Sequence, residues 1–80
     1  MIRCFICGRE FKPEDPRIID CDICLKMICK DCMDSELHSI IDLICELEES
    51  GLTKKQIRSR LKQHFNMKDI DRAFSLLGVK

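Results

Sequence analysis

Within its first 32 residues the chain places three Cys-x-x-Cys pairs, Cys4/Cys7, Cys21/Cys24 and Cys29/Cys32. Two thiolates three residues apart on a tight turn make half of a tetrahedral site, and zinc prefers four sulfur or nitrogen ligands. Small domains use such a site in place of a hydrophobic core. This segment needs one, because its core-sized apolar residues are only Phe5, Ile6, Phe11, Ile18, Ile19, Ile23, Leu25, Met27 and Ile28. Disulfides are the competing staple. The chain opens Met-Ile-Arg-Cys without an apolar signal segment, so the expectation is a cytoplasmic protein whose reduced thiols are free for zinc. No βαβ unit has room to support a thioredoxin-like redox pair. No apolar run approaches the roughly 20 residues of a membrane span, so no membrane role is expected.

Six cysteines supply one and a half sites. Their spacing is Cys-x2-Cys-x13-Cys-x2-Cys-x4-Cys-x2-Cys, and the x4 gap is too short for neighbouring pairs to close independent sites comfortably. Interleaving solves this. Cys4 and Cys7 then share one zinc with Cys29 and Cys32, the latter pair opening the first helix, where the helix dipole and free N–H groups favour thiolate charge. Cys21 and Cys24 are left poised for a second zinc. The sequential alternative, with Cys4, Cys7, Cys21 and Cys24 on one ion as in a zinc ribbon, stays open. Among the remaining donors, His38 and Cys45 lie about two turns, or roughly 10 Å, apart on a regular helix, too far to grip one ion. Either the helix starts beyond His38 and frees it as a ligand, or the second site is incomplete, or a single zinc is bound. Cys45 borders an apolar stripe and reads as a small buried hydrophobe, and His64 reads as exposed.

Two segments follow from the patterning: residues 1–36 as a zinc finger and residues 37–80 as a tail of three short amphipathic helices. Arg17-Ile18-Ile19-Asp20 reads as a short strand. From about Asp34 the period turns helical, with Leu37, Ile40, Ile41, Ile44 and Leu47 on one stripe, Asp34 or Ser35 as cap and Gly51 as terminator. Thr53 and Gln56 fit a capping box for the next helix, whose inward stripe is Ile57, Leu61 and Phe65. Asn66 caps the last, with Met67, Ile70, Phe74 and Leu77 inward and Gly78 ending it.

The residues around the cysteines resemble a known family. Cys4-Phe5-Ile6-Cys7-Gly8-Arg9-Glu10-Phe11, then Pro16-Arg17-Ile18-Ile19, then Cys24 to Cys29 and Lys30-Asp31-Cys32-Met33-Asp34, are similar to the first three-quarters of a RING finger, whose cross-brace layout the FYVE and PHD fingers share. The resemblance covers about 35 of the 80 residues. It implies a treble-clef, RING-like finger, followed here by the three helices. The sequence departs from the RING pattern at Lys26, where the family has a histidine that Cys21 would replace, and it lacks the closing Cys-x-x-Cys. RING fingers promote transfer of ubiquitin or a ubiquitin-like modifier by binding a charged conjugating enzyme, with no covalent intermediate. By that resemblance Ile6 would contact the conjugating enzyme, helped by Leu37 or Ile40, although Ile6 packing against Phe11 is as good a reading.

Charge opens a different possibility. Residues 1–50 carry six basic and twelve acidic side chains, and residues 51–80 carry eight basic and two acidic. Lys54, Arg58 and Lys62 recur every four residues beside the Ile57/Leu61/Phe65 stripe. They suit a nucleic-acid-binding helix-turn-helix whose reading helix would be Met67–Leu77. Asp69 and Asp71 in the first turn of that helix, and the absence of Tyr and Trp, count against it. Attraction between the two halves, or simple solvation, also accounts for the asymmetry. No nucleophile–base set, phosphate-cradling loop or paired carboxylates point to catalysis, and four thiolates would close a zinc shell to water.

Overall fold

Each of the first two Cys-x-x-Cys pairs sits on a turn that joins the strands of a small antiparallel sheet. A computed structural model of the chain describes residues 1–78. β1 (Ile2–Arg3) pairs with β2 (Glu10–Phe11), Ile2 opposite Phe11 and Arg3 opposite Glu10, around Cys4 and Cys7. β3 (Ile18–Asp20) pairs with β4 (Met27–Cys29), Ile18 opposite Cys29 and Asp20 opposite Met27, around Cys21 and Cys24. Both knuckles close the same way. The Gly8 N–H donates to the Cys4 carbonyl at 3.0 Å and the Leu25 N–H to the Cys21 carbonyl at 2.8 Å. The residue after the second cysteine is left-handed in each, Gly8 at φ 76° and Leu25 at φ 58°. Glycine takes that conformation freely and leucine does not. Leu25 is also 76% exposed, so no packing offsets its strain.

Among the described residues the chain then forms four helices rather than three. α1 (Lys30–Met33) is a single turn opening directly after Cys29, and α2 (Glu36–Glu49) restarts two residues later. Ser35 is the reason for the break. Its hydroxyl donates to the Cys32 carbonyl at 2.6 Å, finishing α1, and accepts from the His38 N–H at 3.2 Å, starting α2. α3 (Lys54–Leu61) begins with the complete Thr53/Gln56 capping box, and α4 (Met67–Leu76) begins with Asn66 accepting from the Asp69 N–H. The inward face of α4 is Ile70, Ala73 and Phe74. Met67, expected on that face, stands at the first helical position and is 38% exposed.

One continuous core joins these parts. Phe11, Ile18 and Ile28 bury from the strands, Ile40, Ile41 and Ile44 from α2, Ile57 and Leu61 from α3, and Ile70, Ala73 and Phe74 from α4. α2 is the hub, packing on α3, α4 and α1. Among the described residues, no helix is long and apolar enough to cross a membrane.

Gly51 ends α2 at φ 91°, and a Cβ placed there would meet nothing within 4 Å. The cost of a side chain at Gly51 is therefore conformational alone. Gly51→Ala is expected to destabilise the protein by about 1 kcal/mol, read as a lower denaturation midpoint at unchanged slope.

Candidate metal centres

The interleaved arrangement is the one observed. Cys4 and Cys7 from the first knuckle meet Cys29 at the end of β4 and Cys32 within α1, while Cys21 and Cys24 from the second knuckle meet His38 and Asp42 on α2. In each group the four donor atoms lie within 4.8 Å of one another. All seven cysteines are free, and their sulfurs group as the interleaved pairs and not as the sequential ribbon.

The donor spacings fit a tetrahedral ion. Zinc bonds of about 2.3 Å to sulfur and about 2.0 Å to nitrogen or oxygen give tetrahedral edges of about 3.8 Å between sulfurs, about 3.5 Å from sulfur to oxygen and about 3.3 Å from nitrogen to oxygen. The Cys7 and Cys29 sulfurs stand 3.7 Å apart. Cys21 Sγ is 3.5 Å from Asp42 Oδ1, and His38 Nε2 is 3.3 Å from the same oxygen. Cys24 Sγ to His38 Nε2, at 3.9 Å, is a little wider.

Hydrogen bonding settles what His38 presents to its neighbours. Its Nδ1 lies 2.9 Å from the Met33 carbonyl, which can only accept, so Nδ1 carries the proton. For a neutral ring, Nε2 therefore turns a lone pair toward the Asp42 carboxylate, and a cation between them reconciles these two acceptors. A carbonyl holding the remote ring nitrogen is the usual support for a metal-binding histidine. His38 is 5% exposed and Asp42 half-buried, so water does little to relieve the crowding.

The four-cysteine group shows the same crowding among thiols. Burial opposes charge on Cys4, but the backbone N–H groups of Cys29, Cys7 and Ile6 outweigh it and hold the thiol at about 6. The Cys29 N–H lies 3.4 Å from that sulfur. Cys32 is pushed far the other way, first by burial and then by the sulfurs of Cys29, Cys4 and Cys7. In the second group burial, and then Cys21, push Cys24 up to about 12. Cys4 gives up its proton near 6, but the raised thiols of both groups keep theirs until a cation replaces them, so metal and protons compete. Apparent zinc affinity is expected to rise with pH between about 6 and 8, because the raised thiols stay protonated across that range and must give up their protons to the metal. Competition against a chromophoric chelator at the two ends of that range measures it.

Asp42 is the donor that sequence reasoning missed. It lies four residues after His38 on α2, where one helical turn sets both side chains on the same face. That i, i+4 relation is the signal that could have found it, had carboxylates been considered beside nitrogen and sulfur. The helix does not start beyond His38; it starts before it, at Glu36, and is completed as a site by its own next turn. Cys45 is half-buried against the core and joins neither group, and His64 is exposed. Lys26 ligates nothing, its ammonium standing 5.0 Å from the Phe5 ring centroid.

The other candidate residues divide by exposure. Ile6 and Leu37 are half-buried at the edge of the core. Ile40 is wholly buried, because it lies on the face of α2 turned to the core, so it cannot offer the partner contact expected of it. The basic stripe is largely spent inside the tail. Lys54 and Arg58 stand over the Phe74 ring at 5.6 and 5.1 Å, and Arg58 also pairs with Asp71. Of the three, Lys62 alone is exposed.

The arrangement is zinc-finger-like: two metal-binding groups, compatible with zinc, stapling two small sheets and four helices. Comparison of the chain with protein-family models, with curated proteins and with solved structures finds no match.

Proposed function

We propose that the chain is a RING-like, zinc-stabilised interaction module that binds a ubiquitin-type conjugating enzyme and acts as a small ligase or adaptor. The interleaving of Cys4, Cys7, Cys29 and Cys32 with Cys21, Cys24, His38 and Asp42 is the observation that carries this reading. It matches the cross-brace that the sequence resemblance implies, with a helix supplying the donors that a RING draws from its closing Cys-x-x-Cys. Ile6 on the first knuckle and Leu37 at the start of α2 are the half-buried apolar positions left for such a partner. The module itself carries no nucleophile in this role; it positions.

Titration of the ¹⁵N-labelled protein with a panel of conjugating enzymes tests the reading. Shift changes confined to residues 5–8 and the first turn of α2, abolished by Ile6→Ala at unchanged metal content, are the expected result. Silence from every enzyme of the panel sinks it. Binding of an oligonucleotide that weakens steeply with salt would instead favour the nucleic-acid reading, which loses Lys54 and Arg58 to contacts within the tail.

A further inference from the structure

The two metal groups differ in what they join and in what closes them. The four-cysteine group draws every donor from residues 4–32, within the knuckles, strands and α1. The Cys21/Cys24/His38/Asp42 group takes two donors from the second knuckle and two from α2, the helix on which α3 and α4 pack. Only this second group fastens the helical tail to the finger by coordination. It is also closed by a carboxylate, a harder donor than the thiolates and imidazole beside it and less suited to zinc than a third thiolate. The Asp42 side chain is 19% exposed, against 7% for His38, so it forms the water-facing corner of the group. Exposure alone does not separate the two groups, since Cys7 also faces solvent. Donor chemistry does: water can stand in for a monodentate carboxylate beside three retained ligands, as it does in open zinc sites.

We propose that the second group is an exchangeable site for a borderline divalent cation such as zinc, and that its occupancy governs how rigidly α2, α3 and α4 are held to the finger. The four-cysteine group is the permanent staple. This inference rests on the reading of both groups as zinc sites and adds a division of labour between them. A fall in available zinc empties the second group first. The knuckle around Cys21 and Cys24 and the first turns of α2 then lose their mutual restraint, while the knuckle around Cys4 and Cys7 stays closed.

The test uses the whole protein loaded with cobalt at both groups and challenged with excess EDTA. Thiolate-to-cobalt absorbance scales with the number of sulfurs bound, so the two groups are distinguishable. Two phases are expected, the faster carrying the smaller, two-thiolate share and running on the order of tenfold or more ahead of the slower. Hydrogen exchange sampled between the phases should show protection lost in residues 21–25 and 36–42 and kept in residues 2–11 and 27–33. Asp42→His, which creates the His-x3-His spacing of Cys2His2 sites, should slow the fast phase toward the slow one. A single phase in the wild-type protein, or exchange that spreads evenly over both segments, overturns the division of labour and leaves the module reading intact. Failure to bind cobalt or zinc at all overturns the module reading itself.

Discussion

Replacing Cys29 by serine is expected to leave the finger without a fixed structure. Cys29 is 2% exposed, ends β4, and places its sulfur 3.7 Å from that of Cys7 while its N–H supports that of Cys4. Serine keeps the size and removes the ligand. Of the fully buried apolar residues in the first 33, four are cysteines, leaving only Phe11, Ile18 and Ile28 as conventional core. At about 1.5–3 kcal/mol each, these three do not offset ordering costs of about 1–2 kcal/mol per residue. Structural zinc in small fingers supplies about 10–16 kcal/mol, as much as the whole stability of an ordinary domain. Loss of amide dispersion for residues 2–33, with at least one zinc fewer per chain by native mass spectrometry, is the measurement. A dispersed spectrum from the variant at full metal content would contradict it.

The second large effect lies at the other end of the chain. Phe74 is 1% exposed and the largest fully buried side chain, covered by Lys54 and Arg58 from α3. Phe74→Ala is expected to cost about 3–5 kcal/mol through lost burial and the cavity left behind, with up to about 1 kcal/mol more from the cations that lose their ring. Such a change removes a large part of a small domain's stability. Every metal donor found among the described residues lies between residues 4 and 42, so metal content is expected to stay at the wild-type value while the denaturation midpoint falls sharply. Loss of metal in step with the midpoint would show that the tail holds the sites, the reverse of the dependence argued above.

How far the molecule was legible from its residues depends on whether the chemistry repeats. The pairing of Cys4 and Cys7 with Cys29 and Cys32 is readable because thiol pairs at fixed spacing are rare and the x4 gap restricts their combinations. The helix caps at Ser35, Thr53 and Asn66 are readable because each answers a local need of the backbone. Asp42 is not readable in that way. It is one of twelve acids in the first fifty residues, and only the start of α2 at Glu36 turns it toward the second knuckle. The strands are two or three residues long, too short to show a period. Lys54 and Arg58 read as a free stripe because sequence periodicity cannot show that packing on α2 brings Phe74 and Asp71 of α4 beneath them.

α2 carries two demands on one cylinder. His38 and Asp42 must face the second knuckle, while Ile40, Ile41 and Ile44 must face the core. An α-helix turns by about 100° per residue, so inserting or deleting a single residue between Asp42 and Ile44 would leave His38 and Asp42 in register with Ile40 and Ile41 and swing Ile44, with the rest of the helix, off the core. The loops on either side can change length at little cost. This helix cannot, and among relatives its length should be as invariant as its ligands.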